Sequence, residues 1–522
     1  MPQKHQPDRL EELALKAVGE WIKLVGEGLV KPVYIVCQRD PNQGQLFLQR
    51  TLALVRETLY ATVPWYFYDK MARRVLIAIG ELINKTKSNY DHYIPMAVFL
   101  NSMKVAVSLT EVVLHPQLKK LDVSVWPKIM RHVMNTNLSK LTGLEELNLG
   151  SGSAGWDTSE GEKYILSGIQ WMSNLTTFCL CFDCTNSIIS VLGSNCPSLQ
   201  SLDVTSSRSV TDRSVPYLLN CKKLRDVKLY RTSVTVSGYK DLLTGLSSIE
   251  DIGRCDDFGN VLQRLHEEEA DPLPLLSLTC RDLSFVHLKL LTVYCPRLTS
   301  ISVFHHERIA DLTILSELEN LKDLKIMNSD FFTDRVKELL EKRGNNLNSL
   351  HLEHVDEIDL NALIYISQYC PVLKKLSFYN CEFTQHRLLL FNLKKLAIPP
   401  FSCLERLICA SDCSLNDLEF LMTHCKNIQY IQLGSSTGID NATMNRVLTQ
   451  NPMKKLEELK ILYSNDIGMQ TVRLMMTQCE RLAALSELES WGGIRHDELN
   501  DFRQYIRVNN IKLDTTPILS LD

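Results

Sequence analysis

Cys179-Leu180-Cys181-Phe182-Asp183-Cys184 is the cluster in this 522-residue chain whose residue types could hold zinc or sense an oxidant. A closed structural zinc site takes four thiolate or imidazole ligands. Cys179 and Cys181 alternate with Leu180, so on a strand both would lie on one outward face. No fourth ligand follows at a matching spacing, and the set reads as incomplete. Cys403, Cys409 and Cys413 are too irregularly spaced for a metal motif and read as packing. His305-His306-Glu307 reads as a surface turn. The sequence has no Gly-x-x-x-x-Gly-Lys-Ser/Thr phosphate loop, no His-Glu-x-x-His and no Gly-x-Ser-x-Gly elbow. Neither catalysis, nor a cofactor, nor a metal is expected of this chain.

What would position these residues is a repeat. Leu347-Asn-Ser-Leu350-His-Leu352 shares its pattern with Leu321-Lys-Asp-Leu324-Lys-Ile326 and with Leu373-Lys-Lys-Leu376-Ser-Phe378. The copies start 26 residues apart. A short alternating apolar segment returning at a period in the twenties marks a leucine-rich repeat, each copy giving a strand, a turn and a helix. Further strands are expected from Leu118, Leu144, Leu175, Leu199, Leu224, Leu298, Leu404, Ile428, Leu456 and Leu482, with degenerate copies at Ile249 and near Leu275. That gives about fourteen copies, and since no copy buries its apolar face alone, neighbours must stack. The expected fold class is α/β, a leucine-rich repeat solenoid (a horseshoe) with an N-terminal helical module. Domains are expected at 1–110 (helical, adaptor-binding or capping), 111–500 (repeats) and 501–522 (C-terminal cap). Three stretches disturb the period: Gly150–Gly161, a Gly/Ser-rich loop; Cys255–Leu278, with an acidic turn; and Leu388–Pro400, with an extra Leu393-Lys-Lys-Leu396-Ala-Ile398.

Composition sets outer limits. Hydrophobic residues make up 45% and charged residues 23%, ordinary for a folded domain. A net charge of −4 gives no reason to expect nucleic acid or an acidic membrane as partner. The polar start, Met1-Pro-Gln-Lys-His-Gln-Pro-Asp, lacks a signal-peptide core, and no run of about 18 apolar residues suggests a spanning helix. The 16 cysteines are dispersed, which fits a reducing compartment, cytoplasm or nucleus.

Before the repeats, Leu10, Leu13, Ala14, Ala17, Val18, Trp21, Ile22 and Val25 fall at helical spacing from Arg9 to Leu29. So wide an apolar face predicts a helix clamped from two sides. Lys31–Val36 reads as β-like, Asp40-Pro41-Asn42-Gln43-Gly44 as a loop, and Leu46–Leu59 as a helix. Another helix is expected through Ile83 with Pro64 in its first turn, and a third from Ile94 to Val107.

Six helix ends share one form: Asn195-Cys196-Pro, Asn220-Cys221-Lys, Tyr294-Cys295-Pro, Tyr369-Cys370-Pro, His424-Cys425-Lys and Gln478-Cys479-Glu. Cysteine there is a small buried hydrophobe at the helix-to-strand corner. Thr211-Asp212 and Thr333-Asp334 are placed to cap the following helices. From about Leu118 to Leu488 the chain resembles the cysteine-containing class of leucine-rich repeats, common in F-box proteins and other substrate receptors of ubiquitin ligases. Leu10, Ala14 and Val18 resemble the BC box that docks on elongin C, which takes Leu, a small residue and an aliphatic residue on one helical face. Arg9 and Ala14 depart from it, since a hydroxyl residue and Cys are usual; PRAME-like repeat proteins have a similar Leu-x-Glu-Leu-Ala opening. Val63-Pro64-Trp-Tyr-Phe67 resembles a cullin-2 box. ZYG11-like receptors share this order of boxes and repeats. An F-box starting at Val63-Pro64 is the rival reading, and ordinary helix core is the bland one.

Between the inward leucines, alternate residues should face outward. Tyr230, Phe304, His351, Tyr379 and Tyr430 stand there among Lys325, Glu353 and Arg406. Exposed aromatics among charges are what interface hot spots look like, although any single one could be plain solvated surface. The resemblance implies a substrate-recognition subunit of a cullin–RING ubiquitin ligase. Leu10, Ala14, Val18, Val63, Pro64 and Phe67 would bind elongin B/C with cullin-2 (or SKP1 with cullin-1), and the strand face a protein substrate. The alternative is a repeat scaffold outside any ligase.

Overall fold

The structure is a computed structural model that describes residues 2–89, 95–151, 158–281, 283–304, 311–384, 399–435 and 438–517. His305-His306-Glu307, the extra Leu393–Ile398 copy and positions 152–157 of the Gly/Ser-rich stretch lie outside them. The chain forms two compact units, Pro7–Gly253, and Arg254–Asp522 together with Met1–Gln6.

The first unit opens with four helices: α1 Leu10–Arg39, α2 Pro41–Thr62, α3 Tyr68–Ser88 and α4 Met96–Ser108. Helix α1 does not give way to a β-like segment at Lys31, and Pro32 sits inside it. Ile22, Gly26, Leu29 and Val33 form one buried stripe that carries the helix through the proline, since packing of an apolar face outweighs local propensity. Asp40-Pro41 is a helix start rather than a loop. The Asp40 carboxylate accepts from the Asn42 and Gln43 amides, with Pro41 at the first helical position. Gly44 lets α2 turn back closely, because a Cβ there would lie 2.2 Å from the Cys37 sulfur. Pro64 precedes a separate turn of 3-10 helix, Trp65–Phe67, and α3 begins only at Tyr68. Glu11–Lys70 (2.5 Å), Lys23–Glu81 (2.9 Å) and Glu27–Lys85 (2.7 Å) pair in ascending order, so α1 and α3 run parallel. Met96–Val113 is, among the described residues, long and apolar enough by length and composition to cross a membrane, against the sequence reading. Its Val105, Leu109, Val112 and Val113 are packed into the core, as a core helix of the same composition would be.

Parallel strands follow: β1 Lys120–Asp122, β2 Glu146–Ser151, β3 Thr177–Cys181, β4 Ser201–Asp203, β5 Asp226–Lys228 and β6 Asp251–Arg254. Leu121, Leu147, Phe178, Leu202 and Val227 stand in register as one inward ladder. The second unit continues the pattern with β7 Ser277–Arg281, β8 Ser300–Phe304, β9 Asp323–Asp330, β10 Ser349–Asp356, β11 Lys375–Glu382, β12 Arg406–Asp412, β13 Tyr430–Leu433, β14 Glu458–Ile461, β15 Ser464–Gly468, β16 Ala484–Ser486 and β17 Trp491–Gly493. There, β7 to β14 and then β16 pair in order, while β15 and β17 make a separate two-stranded ribbon. A helix or a short helical turn joins most successive strands: an α/β leucine-rich repeat solenoid. Both degenerate copies are true strands, β6 and β7. The stretch between them is not stretched in period, for 26 residues separate Asp251 from Ser277 and the helix Phe258–Glu267 fills the gap.

The corner cysteines Cys196, Cys221, Cys295, Cys370, Cys425 and Cys479 are all buried. Burial pushes the Cys196 thiol up to about 12, and it donates to the Met172 carbonyl at 3.4 Å. Thr211 caps a helical turn by accepting from the Arg213 amide. Thr333-Asp334 does not cap: Arg335, in the left-handed region, precedes the helix Val336–Arg343, and the Asp334 carboxylate turns back to the Asp330 amide.

Candidate functional site

Two surfaces carry the residues singled out in the sequence. The first is on the helical module. Leu10 (82% exposed) and Ala14 lie open, and Val18 is half-buried at the edge of the core. Helix α1 packs against α2, α3 and α4, and one of its faces stays open. Opposite its buried stripe runs a second apolar one, Leu10, Leu13, Ala14, Ala17, Trp21 and Leu24, and Leu24 is 67% exposed. This spacing repeats every three or four residues, so the stripe is one continuous helical face. The parallel alignment of α1 and α3 brings the start of α1 to the end that carries the Trp65–Phe67 turn. Glu11 pairs with Lys70, whose ammonium lies 5.6 Å from the Phe67 ring centre. Val63 and Phe67 are half-buried, Pro64 is exposed, and Trp65 is 73% exposed with Tyr66 edge-on beside it. The residues read as an adaptor box and a cullin box thus share one end of the module.

The second surface is the outward face of β7–β13. Register aligns Arg281, Phe304, Met327, Glu353 and Tyr379 across neighbouring strands. A parallel row holds Ser302, Lys325, His351 and Ser377, and a third pairs Lys375, Arg406 and Tyr430. Arg281 covers the Phe304 ring at 4.6 Å. His351 stacks on Tyr379 at 5.0 Å and reaches Glu353 at 3.1 Å, and Glu353 also accepts from Lys325 at 2.7 Å. Arg406 lies 3.6 Å from the centre of the Tyr430 ring, whose hydroxyl donates to Gln432 at 2.7 Å. Burial, with Lys325 nearby, lowers the His351 pKa; the Glu353 carboxyl also sits below its ordinary value, since Lys325 and His351 outweigh its burial. Guanidinium on aromatic faces and a braced His–Tyr stack make these side chains rigid before any partner arrives, which lowers the ordering cost of binding.

Phe304, His351, Tyr379 and Tyr430 therefore form one band. Tyr230 belongs to the first unit, on the turn after β5, with Arg231 over its ring at 5.3 Å. Arg281 and Gln432 belong to the band and were missed. The signal was available only through register, because each sits at the outward position of its own copy. Leu13, Ala17, Trp21 and Leu24 extend the adaptor-box residues Leu10 and Ala14 along the same open face of α1, a continuity that helical spacing alone could not tell from ordinary core.

No family model matches this chain, and no curated protein does. Among solved structures, a leucine-rich repeat protein of Leptospira interrogans is similar over 79% of this chain and 98% of its own, at 14% identity and a TM-score of 0.37. A chain of the yeast Rad7 and Elc1 complex is similar over 88% of this chain and 94% of its own, at 14% identity and a TM-score of 0.41. At these scores neither likeness carries an argument about what this chain does.

Proposed function

We propose that this chain is a substrate-recognition subunit of a cullin–RING ubiquitin ligase and is not itself an enzyme. The observation that carries the reading is the apolar stripe of α1. It holds the BC-box-like Leu10 and Ala14, lies open, and shares its end of the module with Val63, Pro64 and the exposed Trp65. A monomer that only capped its repeats would have no use for a second apolar face on that helix. In this reading elongin C seats on the stripe, and cullin-2 approaches the Val63–Phe67 turn. The Phe304–Tyr430 band holds a protein substrate. The mechanism is proximity: the receptor raises the local concentration of substrate lysines near a charged ubiquitin carrier. The half-exposed and buried free thiols fit a cytoplasmic or nuclear setting.

Co-expression with elongins B and C, and separately with SKP1, tests the reading. Copurification with the elongins that is lost in Leu10→Asp supports it. Copurification with SKP1 alone moves the chain to the F-box class. Binding to neither adaptor leaves a scaffold that uses the band without a ligase.

A further inference from the structure

Cys179 and Cys181 differ from the corner cysteines in facing outward. They alternate with the buried Phe178 and Leu180 on β3, and both are half-exposed. Their sulfurs are 3.9 Å apart. The ligand that no sequence spacing supplied comes from the next repeat. Asp203 on β4 stands in register with Cys179, and its Oδ1 lies 3.6 Å from the Cys181 sulfur. All three donor atoms lie within 4.8 Å of one another. Zinc held tetrahedrally by thiolates at about 2.3 Å and a carboxylate at about 2.1 Å needs edges of about 3.8 Å between sulfurs and about 3.6 Å from sulfur to oxygen. Two of the three edges already match.

We propose that Cys179, Cys181 and Asp203 form a site for a thiophilic divalent cation, zinc in the first place, with the fourth position open to water or to a side chain of a bound protein. Asp203 is already fixed in orientation. Its Oδ1 accepts from the Thr205 amide (3.1 Å) and hydroxyl (2.7 Å), and outer-shell bonds of this kind orient metal ligands. Cys184 takes no part, being fully buried with its thiol turned to the Thr185 carbonyl. Burial, then Cys181 and Asp203, pushes the Cys179 thiol up to about 12, with Asp122 of β1 adding in the same sense. Cysteine ligates a metal as thiolate, so binding expels two thiol protons to solvent, one from each cysteine. Affinity accordingly rises with pH.

The test is a cobalt(II) titration of the reduced full-length chain, followed by its thiolate charge-transfer and tetrahedral absorption bands and by displacement with zinc. One equivalent is expected, tighter at higher pH and lost in Cys179→Ser/Cys181→Ser. Asp203→Asn should weaken it roughly tenfold or more. The metal-free melting temperature of Asp203→Asn should change little, because the asparagine oxygen still accepts from Thr205. Absence of the bands in the wild type, or their survival in the double variant, overturns the proposal. If the double variant fails to fold, Asp203→Asn decides alone, and an unchanged cobalt affinity overturns it.

Discussion

The repeats and the helical module treat apolar residues in opposite ways. On β10 and β11, Leu350, Leu352, Leu376 and Phe378 all point inward and are buried, and the outward positions are polar, charged or aromatic. On α1, Ile22 and Val33 are buried, while Leu10, Leu13 and Leu24 are exposed on the same helix. A solenoid copy has a neighbour on each side to cover it. A helix with two apolar faces has cover for only one. An exposed leucine means little singly, but a continuous stripe of them on one helix face is the feature on which the proposed adaptor binding rests.

The contrast breaks first if the repeat core is tested and found soft. Phe378 is fully buried and has no polar atoms to rescue it. Phe378→Ala should cost about 3–5 kcal/mol, read as a fall in the urea midpoint. Next comes Gly44→Ala, where the new Cβ meets the Cys37 sulfur at 2.2 Å and its backbone Cα at 2.9 Å. The α1–α2 turn must open, at about 1–3 kcal/mol. Asp40→Ala removes the cap of α2 and should cost about 1 kcal/mol, visible in thermal melts. Leu24→Asp and Trp65→Ala sharpen the contrast from the other side. Both should leave stability within about 0.5 kcal/mol of wild type, and both should weaken adaptor binding. A melt as damaged as that of Phe378→Ala would show the second stripe to be core.

How far the sequence could be read follows the same line. Leu-x-x-Leu-x-Leu at 26-residue spacing declares the strands because every copy repeats the same inward pair, and the corner cysteines declare the helix ends. Pro32 and Asp40-Pro41 misled, since a proline inside a helix and one opening a helix look alike until packing at Val33 and capping by Asp40 are known. Contacts between copies stayed hidden. Arg281 on Phe304, His351 on Tyr379 and Asp203 beside Cys181 each join residues 22–28 positions apart. They become neighbours only when parallel register is fixed. That is why the first unit's cysteine pair reads as incomplete in the sequence, and why the band's arginine does not stand out there.

The smallest effect concerns the band alone. The His351 pKa is lowered, chiefly by burial and then by Lys325, against the pull of Glu353. A histidine whose folded pKa lies below its unfolded value binds fewer protons when folded. Stability is therefore full above the unfolded value of about 6.5 and falls as the pH drops through that value toward the folded one. Glu353, also lowered, begins to lose its contribution only as the pH falls through its unfolded value of about 4.3 toward the folded one, so the two windows separate. Other histidines share the upper window, His115 among them, its pKa lowered by burial and by Arg56. Only a difference between two proteins isolates His351. Urea unfolding of wild type and His351→Gln at pH values of about 7.5 and 5.5 supplies it: the variant should lose less stability on acidification than the wild type. Equal losses would mean that His351 is solvated in the free protein, and that the stack on Tyr379 forms no rigid part of the band.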